Sequence, residues 1–532
     1  MKNNILITLC TAGLLSLGSC DHAFDTINTN PNLPEKGTSY GLFNSANKEL
    51  MDNTRGSFSS ARVALPWVQY SAQMNYTEED LYQYRVTSGD NLWRYLYSVA
   101  NDYKSIIELN TDEQTKVNTA LYGSNDNQIA AARIMLAYVF SNLADRFGDV
   151  PYYSYGNNDA DFQALNVDVI KPKYASQEKI YTDILKELKE AAEMIDTSES
   201  SVFTSGDALF GTPDKMKKFA NSLRLRIANR VKNVIPSATT HITEAIASGV
   251  MTSNDDSVGL TYENNRVNPA PNYTAFFIDN RTDYTISNIF VEILKGVRGN
   301  FGVDPRLQKM ATPKGITIAS VRTNNYTESS DINDYVGMPY GIRSNMTRSQ
   351  RSIGISFLSH NVLKPDYTEI FMEYAEVCFL LSEINGWDQT HYENGVKASM
   401  EKWEVADSDI ATYISTLPAA SQENVLTQKY IALFMQPLEA WNEYRRTGYP
   451  SVLLKPGETH ALNGPYTYED ANGNTVSVST YTFTPLVTLT DLPGRMSYSA
   501  RYKTLNADNY QAAIQNMGGS GDTMDIKLIW AQ

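Results

Sequence analysis

Helical periodicity, repeated in two separate blocks, constrains the fold of this 532-residue chain more than any other feature. Apolar side chains recur three and four positions apart, which is typical of helices with one buried face. The pattern predicts helices over 38–53, 90–108, the first part of 133–153, 176–195, 213–234, 366–386, 391–403, 421–436 and 437–446. We therefore expect a mainly α fold in which paired helices stack into a scaffold spanning about 38–235 and 366–446.

The two helical blocks are separated and followed by long irregular segments. Over about 240–362 and 450–532, glycine, asparagine, proline, threonine and serine interrupt the helical period. One stretch there, "VSVSTYTFT" (476–484), alternates like a strand. Irregular segments of this length in a folded protein are usually binding loops. We expect these loops to carry the ligand contacts and the helices to hold them in place.

The stretch "RIMLAYVFSNLADRFGDVPYY" (133–153) shows how a predicted helix ends in charge. Gly148 can adopt the left-handed conformation that terminates a helix, and Pro151 cannot continue one. We interpret the charges of Asp145, Arg146 and Asp149 as partners for neighbouring helices, so that they fix the shape of the fold.

The N-terminus predicts export and lipidation. A lysine precedes an apolar run over 5–17, which is too short to cross a bilayer and has the form of a signal peptide. The run ends in "LGSC" (17–20), which is similar to a bacterial lipobox. We expect cleavage after Ser19, lipidation of Cys20 and an extended tether over 20–37. An ordinary secretory signal with an incidental cysteine is the alternative.

Composition narrows the class of partner. The formal net charge is −15 and no basic cluster offsets it, which argues against a nucleic-acid partner. Tyrosine is in excess, with 34 Tyr against 18 Phe and 6 Trp. A tyrosine ring offers an apolar face and a polar tip, which suits contacts with sugars or peptides, and a tyrosine-rich core is the alternative.

Two predicted helices carry complementary charges. On 213–234, two arginines adjoin the apolar face, and on 366–386 the residues Glu369, Glu373, Glu376 and Glu383 form one stripe on an otherwise apolar helix. Because an unpaired buried charge is costly, these groups need partners. We predict structural ion pairs between helices, formed by Arg226, Arg230, Glu373 and Glu376. A general acid–base pair, as in glycoside hydrolysis, is the alternative.

The sequence contains no recognisable catalytic motif. None of its five histidines lies in H-E-x-x-H, and it has no G-x-S-x-G, Walker A or dinucleotide fingerprint. Cys378, in an apolar helical pattern, is the one cysteine beyond the signal and lipobox, so it forms neither a disulfide nor a zinc site. "NNDAD" (157–161) and "NDD" (254–256) offer oxygen ligands for calcium, although neither fits an EF-hand loop and such loops are more often simple turns. We expect no enzymatic activity and no cofactor, with calcium left open.

Aromatic residues outside the helical period are the best candidates for ligand contacts. Aromatic faces stack on sugar rings or peptide side chains, and amide or charged groups orient the ligand. We predict ligand contacts in three loop regions: Trp67, Tyr70, Tyr76, Tyr82 and Tyr84 in "LPWVQYSAQMNYTEEDLYQYR" (65–85), Asn272, Tyr273 and Tyr284 within 264–284, and Tyr335 and Tyr340 in "NDYVGMPYGIRSN" (333–345). Aromatics of these loops that touch no ligand should pack the loops or face a partner protein.

Seven short motifs, taken in order, resemble the SusD/RagB family of nutrient-binding outer-membrane lipoproteins, in its SusD-like branch. They are "LADRFGDVPYY" (143–153), "KFANSLRLRIANR" (218–230), "DPRL" (304–307), "YVGMPYGI" (335–342), "EYAEVCFLLSEINGW" (373–387), "EAWNEYRRTGYP" (439–450) and "LNADNYQAAI" (505–514). With the lipobox, the resemblance covers nearly the whole mature chain.

The resemblance implies a fold, a location and a partner. It implies a signal peptide over 1–19 and one SusD-like domain over 20–532, in which tetratricopeptide-like helix pairs support irregular loops. It implies a protein anchored by lipid in the outer membrane of Bacteroidetes, facing the cell exterior and capping a TonB-dependent, SusC-like transporter. The implied function is capture of a glycan or oligosaccharide and its delivery to that transporter. Peptide ligands in the same role, a surface hydrolase, or a scaffold that binds only protein are the alternatives.

Overall fold

The computed structural model describes residues 37–85 and 87–531, and within these ranges the fold is mainly helical, as expected. Its helices of seven residues or more are α1 Ser39–Arg55, α2 Ser88–Thr111, α3 Asn125–Phe147, α4 Gln177–Met194, α5 Pro213–Val231, α6 Ala238–Ala247, α7 Asn288–Leu294, α8 Ser344–Ser352, α9 Tyr374–Ile384, α10 Gln389–Lys402, α11 Asp407–Ser415, α12 Gln422–Ala432, α13 Pro437–Thr447 and α14 Ala507–Asn516. Shorter helical segments lie at Ser59–Ala64, Leu65–Trp67, Lys116–Thr119, Ala120–Tyr122, Asn254–Asp256, Pro271–Tyr273, Thr274–Ile278, Arg306–Met310, Ile318–Arg322, Ile332–Asp334, His360–Leu363 and Tyr502–Leu505.

Six strands form three separate two-stranded antiparallel sheets in the described ranges. They are β1 Ser71–Gln73 with β3 Tyr284–Ile286, β2 Val258–Thr261 with β4 Thr368–Met372, and β5 Thr459–Glu469 with β6 Thr475–Thr482. The strand predicted over 476–484 is β6, which pairs with β5. The register of this pairing shifts between Ala461 and Tyr466 of β5. These small sheets connect loop segments to one another, and the helices form most of the core.

Local sequence signals set the helix ends. The Ser176 hydroxyl accepts a hydrogen bond from the third backbone N–H of α4, and Thr212 does the same for α5, with Pro213 at its first position. Gly148, at φ 88°, follows the last residue of α3, and Gly448, at φ 74°, follows α13. Both glycines have the positive φ that favours the residue type without a side chain.

Successive helices pack together through both blocks. In the first block α1 packs on α2, α2 on α3, α3 on α4 and α4 on α5, while in the second α9 packs on α10 and α12. The two blocks meet where α5 packs on α9. Helix α3 is buried on every side from its third residue onward, which agrees with its long apolar run and means that its charged and amide side chains are buried as well. The buried hydrophobic residues of both blocks form one continuous core.

One predicted helix is wrong in its first third. The stretch 366–386 forms strand β4 over Thr368–Met372 and becomes helical only at α9, Tyr374–Ile384. The apolar residues here fit either period, and pairing with β2, more than 100 residues earlier, selects the strand. Glu369 therefore lies on a strand and does not share a helical stripe with Glu376.

The N-terminal predictions lie outside the described residues. These are the signal peptide over 1–19, lipidation at Cys20 and the tether up to residue 36. Among the helices of the described ranges, none combines the length and apolar character required to cross a membrane. The assignment of 20–532 to a single domain stays a prediction.

Candidate ligand-binding site

The structure brings the three predicted loop regions together at β1 and β3. Ser71 of β1 pairs with Ile286 of β3, which joins 65–85 to the loop before β3. Ser287 forms a parallel bridge with Met338, and the hydroxyls of Thr77 and Ser344 lie 3.1 Å apart. Segments that are far apart in the sequence therefore form one surface.

Most of the aromatic residues predicted to contact ligand point away from that surface. Seven of the ten predicted ligand residues are less than 2% exposed: Trp67, Tyr70, Tyr82, Asn272, Tyr284, Tyr335 and Tyr340. The Tyr70 ring stacks on Tyr430 at 4.6 Å between centroids, and the Tyr284 hydroxyl donates to Asn272 Oδ1 at 2.9 Å. These side chains hold the loops on the scaffold, and a ligand role for them stays a prediction that requires the loops to open.

Three of the predicted aromatics reach solvent. Tyr84 and Tyr273 are half-buried, whereas Tyr76 is 54% exposed and is the most exposed tyrosine of the described residues. The backbone at Tyr76 has φ 56°, a left-handed conformation that costs free energy in a tyrosine. Next to it, the N–H groups of Met74 and Asn75 donate to the Asp283 carbonyl at 2.5 and 3.3 Å. The neighbouring loop therefore fixes the turn that presents the Tyr76 ring.

Tyr76 belongs to an aromatic strip with Phe58 and Arg62. The Arg62 guanidinium carbon lies 5.7 Å from the centre of the Tyr76 ring and 5.8 Å from that of Phe58, which is 36% exposed. Arg62 Nη2 lies 2.8 Å from both carboxylate oxygens of Glu79, which is buried. The Glu79 carboxylate therefore fixes a guanidinium that lies over both rings, and Phe58 and Tyr76 remain partly exposed in the Phe58–Arg62–Tyr76 strip.

A groove of about 360 Å³ opens beside Phe58. It lies between the C-terminal end of α1, the loop at 56–59 and the first turns of α2. Its main side chains are Asp52, Asn53, Phe58, Arg85, Asn91 and Tyr95. Asp52 is held by the Tyr262 hydroxyl, which donates to Oδ1 at 2.7 Å. The groove combines aromatic faces with amide, carboxylate and guanidinium groups, which is the chemistry that orients a hydroxylated ligand.

The backbone beneath the strip is irregular. Residues Ser59–Ala64 form a π-helical turn, and Gln69, Tyr76 and Tyr82 all have positive φ. The buried Asp80 carboxylate accepts from the Gln73 N–H at 2.8 Å, and burial raises the pKa of Asp80 well above its ordinary value. Such turns and strained residues concentrate at functional sites, which agrees with a site in this segment.

The charged residues singled out in the sequence lie in the interior, apart from the groove. Arg226 Nε donates to Glu376 Oε1 at 2.7 Å, and Arg230 Nη1 donates to Asp145 Oδ2 at 2.7 Å. Glu373 instead pairs with Lys402 at 2.5 Å and accepts from Gln436. All these carboxylates are buried, so a substrate cannot reach them in this structure. That the pairs stabilise the fold stays a prediction.

The two acidic loops considered for calcium hold lysine ammonium groups. Lys179 Nζ lies 2.9 Å from Asp159 and 2.6 Å from Asp161, and Lys173 lies 2.8 Å from Asp161. In the second loop Asp256 pairs with Lys218 at 3.0 Å. The described part of the chain contains no group of three or more histidine, cysteine, aspartate or glutamate side chains placed to hold a metal.

None of the ten predicted ligand residues lines the groove, and Tyr76 is the one predicted residue in the strip. Phe58 lies in "RGSFSS" directly after a helix, so the rule that selected loop aromatics would also have selected it. Tyr95 lies off the apolar face predicted for the helix over 90–108, which is a second signal that the sequence offered. Arg62, Arg85 and Asn91 carry no local signal, because only the fold places them beside the aromatic rings.

Family comparison covers almost the whole described chain. Residues 31–467 match the SusD-like family described as starch-binding and associating with the outer membrane. Residues 419–531 match the family described as SusD and RagB outer membrane lipoprotein. A search of curated proteins gives no match.

Solved structures show the same fold. A chitin-binding SusD homolog from Flavobacterium johnsoniae aligns with a TM-score of 0.69 at 23% identity, covering 92% of this chain and 98% of its own. A SusD homolog from Parabacteroides distasonis aligns with a TM-score of 0.69 at 21% identity, covering 93% and 98%. Another from Bacteroides uniformis has a TM-score of 0.68 at 22% identity, covering 94% and 100%. These matches confirm the architecture of helix pairs supporting loops.

Proposed function

Because the chain belongs to the SusD-like family of outer-membrane lipoproteins, we propose that it captures a glycan or oligosaccharide at the cell surface and delivers it to a TonB-dependent, SusC-like transporter. The observation that carries the binding part of this proposal is the groove beside Phe58 together with the Phe58–Arg62–Tyr76 strip. Tyr76 is the most exposed tyrosine of the described residues, and the partly exposed ring of Phe58 lines the polar groove.

The chemistry of this surface suits a sugar chain. The apolar C–H faces of a sugar ring can stack on the rings of Phe58 and Tyr76. Because this contact uses the C–H faces, few of the sugar hydroxyls lose their hydration. Asp52, Asn91 and Arg85 supply an acceptor, an amide and a donor for the hydroxyls. The groove volume of about 360 Å³ lies within the range of small-molecule sites, roughly 300–1,000 Å³. A chain of sugars would extend from the groove along the strip.

Binding without catalysis is the activity we infer. A surface hydrolase of the retaining or inverting type needs two carboxylates flanking the scissile bond. The glutamates that suggested such a pair, Glu373 and Glu376, are buried and engaged by Lys402 and Arg226. This arrangement supports capture of an intact ligand.

The proposal also covers the membrane anchor and the partner protein. We infer that acylated Cys20 holds the protein in the outer-membrane lipid with its binding surface facing the cell exterior, because multiple acyl chains give stable anchoring. The SusC-like transporter is then the partner that receives the ligand. Co-purification of the full lipidated chain with such a transporter from native membranes tests this part, and its absence under mild detergent would contradict it.

Calorimetry of the soluble mature chain, made without Cys20, tests the binding part. The panel includes starch, chitin, plant and host oligosaccharides and a protein digest, with every ligand recovered and checked by mass spectrometry. Chitin oligosaccharides belong in it because one structural relative is described as chitin-binding. Intact glycan bound with heat is the expected result. Cleaved products would favour the hydrolase, peptides bound in place of glycans would favour the peptide alternative, and no binding by folded protein would favour the protein scaffold.

A further inference from the structure

A second groove lies at the point where the described chain begins. It has a volume of about 580 Å³, runs beside the start of α1 and the last turns of α2, and shares no lining residue with the groove beside Phe58. Its apolar side chains are Leu42 and Leu109, which are both half-buried, and Gly37, the first described residue, also lines it. The other lining side chains are polar or acidic. The chain therefore enters the described fold through this site, which we call the α1–α2 groove.

Leu42 occupies a helix position that often has an apolar partner. The Thr38 hydroxyl caps α1 by accepting from the Gly41 N–H at 3.3 Å, so Leu42 is the fourth residue of the helix. At many helix starts this fourth residue packs on the side chain just before the cap. Here the residue before the cap is Gly37, which has no side chain. An apolar side chain from further upstream is therefore needed to cover Leu42.

The sequence directly before Gly37 offers one such side chain. It reads "PNLPEK" (31–36), and Leu33 is its one large aliphatic residue. The family match also begins at residue 31, so the family model includes this segment with the domain. Prolines at 31 and 34 restrict the backbone, and a residue before a proline favours an extended conformation. Such a segment loses less conformational entropy on binding than an unrestricted one.

The segment is long enough to fill the α1–α2 groove. Four residues span at most about 14 Å, so Leu33 can lie up to that distance from Gly37. The helix rises by only about 6 Å between Ser105 and Leu109, which both line the groove. A short covalent connection also gives an effective concentration on the order of millimolar. The chain's own segment is therefore favoured over a separate molecule.

We propose that residues 31–36 bind in the α1–α2 groove, with the Leu33 side chain between Leu42 and Leu109. The groove then fixes where the tether leaves the domain, and only the residues before 31 remain as a free connection to the anchor. This consequence rests on the proposed lipidation of Cys20, whereas the binding itself does not. Cross-linking and unfolding experiments on the unlipidated chain use neither lipid nor glycan, so their failure would leave the proposed function unaffected.

Disulfide formation in the soluble mature chain, made without Cys20, tests the contact. Leu33→Cys combined with Leu109→Cys should form an intramolecular disulfide under mild oxidation, because binding brings the two Cα atoms within about 7 Å. Leu33→Cys with Gln114→Cys is the matched control, since Gln114 is exposed just beyond the end of α2 and does not line the groove. We expect the first disulfide to form roughly tenfold faster or more, because a bound segment has a higher effective concentration at Leu109 than a free one.

Mass spectrometry identifies which cysteines are joined. Equal rates for the two pairs, or no disulfide at Leu109 in folded protein, would overturn the proposal. Disulfides formed only between molecules would overturn it in favour of a second copy of the chain.

Thermal unfolding gives an independent measurement. Leu33→Asp places a charge against Leu42 and Leu109, and it should lower the unfolding midpoint because a buried unpaired charge is costly. Asn32→Asp adds the same charge one residue earlier, where an extended chain points its side chain to the opposite side, and it should leave the midpoint unchanged. Equal midpoints in the two variants would show that Leu33 has no special contact and would overturn the proposal.

Discussion

Arg230 Nη1 lies 2.7 Å from Asp145 Oδ2, and this ion pair joins α5 to α3 in the interior of the helical scaffold. Both side chains are buried. Arg230 also contacts Glu439 of α13, while Asp145 accepts from the Tyr181 hydroxyl of α4 at 2.7 Å and from Asn442 of α13 at 3.0 Å. The pair therefore connects helices of both sequence blocks at one point.

Arg230→Ala should destabilise the protein strongly. Without the guanidinium, Asp145 and Glu439 are left as buried carboxylates without their main partner, and breaking a buried pair in this way costs about 3–5 kcal/mol. Urea denaturation followed by circular dichroism measures the change in free energy of unfolding. Lys116→Ala is the control, because Lys116 pairs with Glu113 at the surface, and it should change stability by less than about 0.5 kcal/mol. Equal stability of the two variants would contradict a structural role for the interior pair.

Tyr76→Ala should weaken binding of the glycan identified by calorimetry. The exposed ring is the largest aromatic surface of the strip, and loss of such an anchor weakens binding about tenfold or more. Tyr468→Ala is the matched control, since Tyr468 is a 41% exposed tyrosine on β5, outside the groove and the strip. Both variants should keep the thermal unfolding midpoint of the parent protein. A larger loss of affinity in Tyr468→Ala would place the glycan on the hairpin.

Glu369→Gln should change how the stability of the protein depends on pH, because it removes a buried carboxyl group that titrates. Burial raises the pKa of Glu369 to about 7 from its ordinary value of 4.5, and the nearest cation is Arg55, with Nε 3.8 Å from Oε2. Folding therefore favours the protonated acid, so the contribution of Glu369 to stability is present below pH 4.5 and is lost as pH rises through 7.

The expected difference between parent and variant follows from this sign. Between about pH 5 and pH 8, the free energy of unfolding of the parent should fall relative to that of Glu369→Gln by on the order of 2 kcal/mol. Urea denaturation of both proteins at several pH values measures the difference. A constant difference over that range would show that Arg55 keeps Glu369 ionised in the folded state.

Cys378 should resist alkylation until the protein unfolds. Its side chain is buried on α9, and burial raises the pKa of the thiol to about 11, so little reactive thiolate is present near neutral pH. In the soluble chain made without Cys20 it is the single thiol, so mass spectrometry after iodoacetamide treatment reads it directly. We expect no labelling of the native protein and complete labelling in denaturant. Rapid labelling of native protein would indicate that α9 opens locally.

Much of the helical framework followed from the sequence because its signals are local. The Ser176 cap, Pro213 and the glycines at 148 and 448 act on backbone groups within a few residues. The predicted ends of α4, α5 and α13 and the predicted C-terminal end of α3 agree with the structure within about three residues, whereas α3 begins eight residues before the predicted stretch 133–153. The helix prediction for 366–386 was wrong over its first third because the apolar residues there fit both the helical and the strand period. Hydrogen bonds to β2 decided between helix and strand.

The sequence predicted which segments form the binding surface, but not which of their side chains are exposed on it. Tyr70 and Tyr76 lie six residues apart in the same aromatic loop, with no difference in local sequence that separates their roles. Yet Tyr70 is fully buried against Tyr430, while Tyr76 is exposed beside Arg62. The sequence located the loop and the chemistry of its side chains, and it did not indicate which ring faces solvent.

The sequence by itself determined the two helical blocks, the helix ends, the loops that meet at the surface and the lipoprotein family to which the chain belongs. Only the tertiary structure decided that Arg230 pairs with Asp145 and Glu439, that seven predicted ligand residues are buried, and that Phe58, Arg62 and Tyr76 form one strip. The physical reason is the range of the interactions. Helix period and capping act over three or four residues, whereas burial depends on contacts between residues as far apart as Tyr70 and Tyr430, which come together only when the whole core forms.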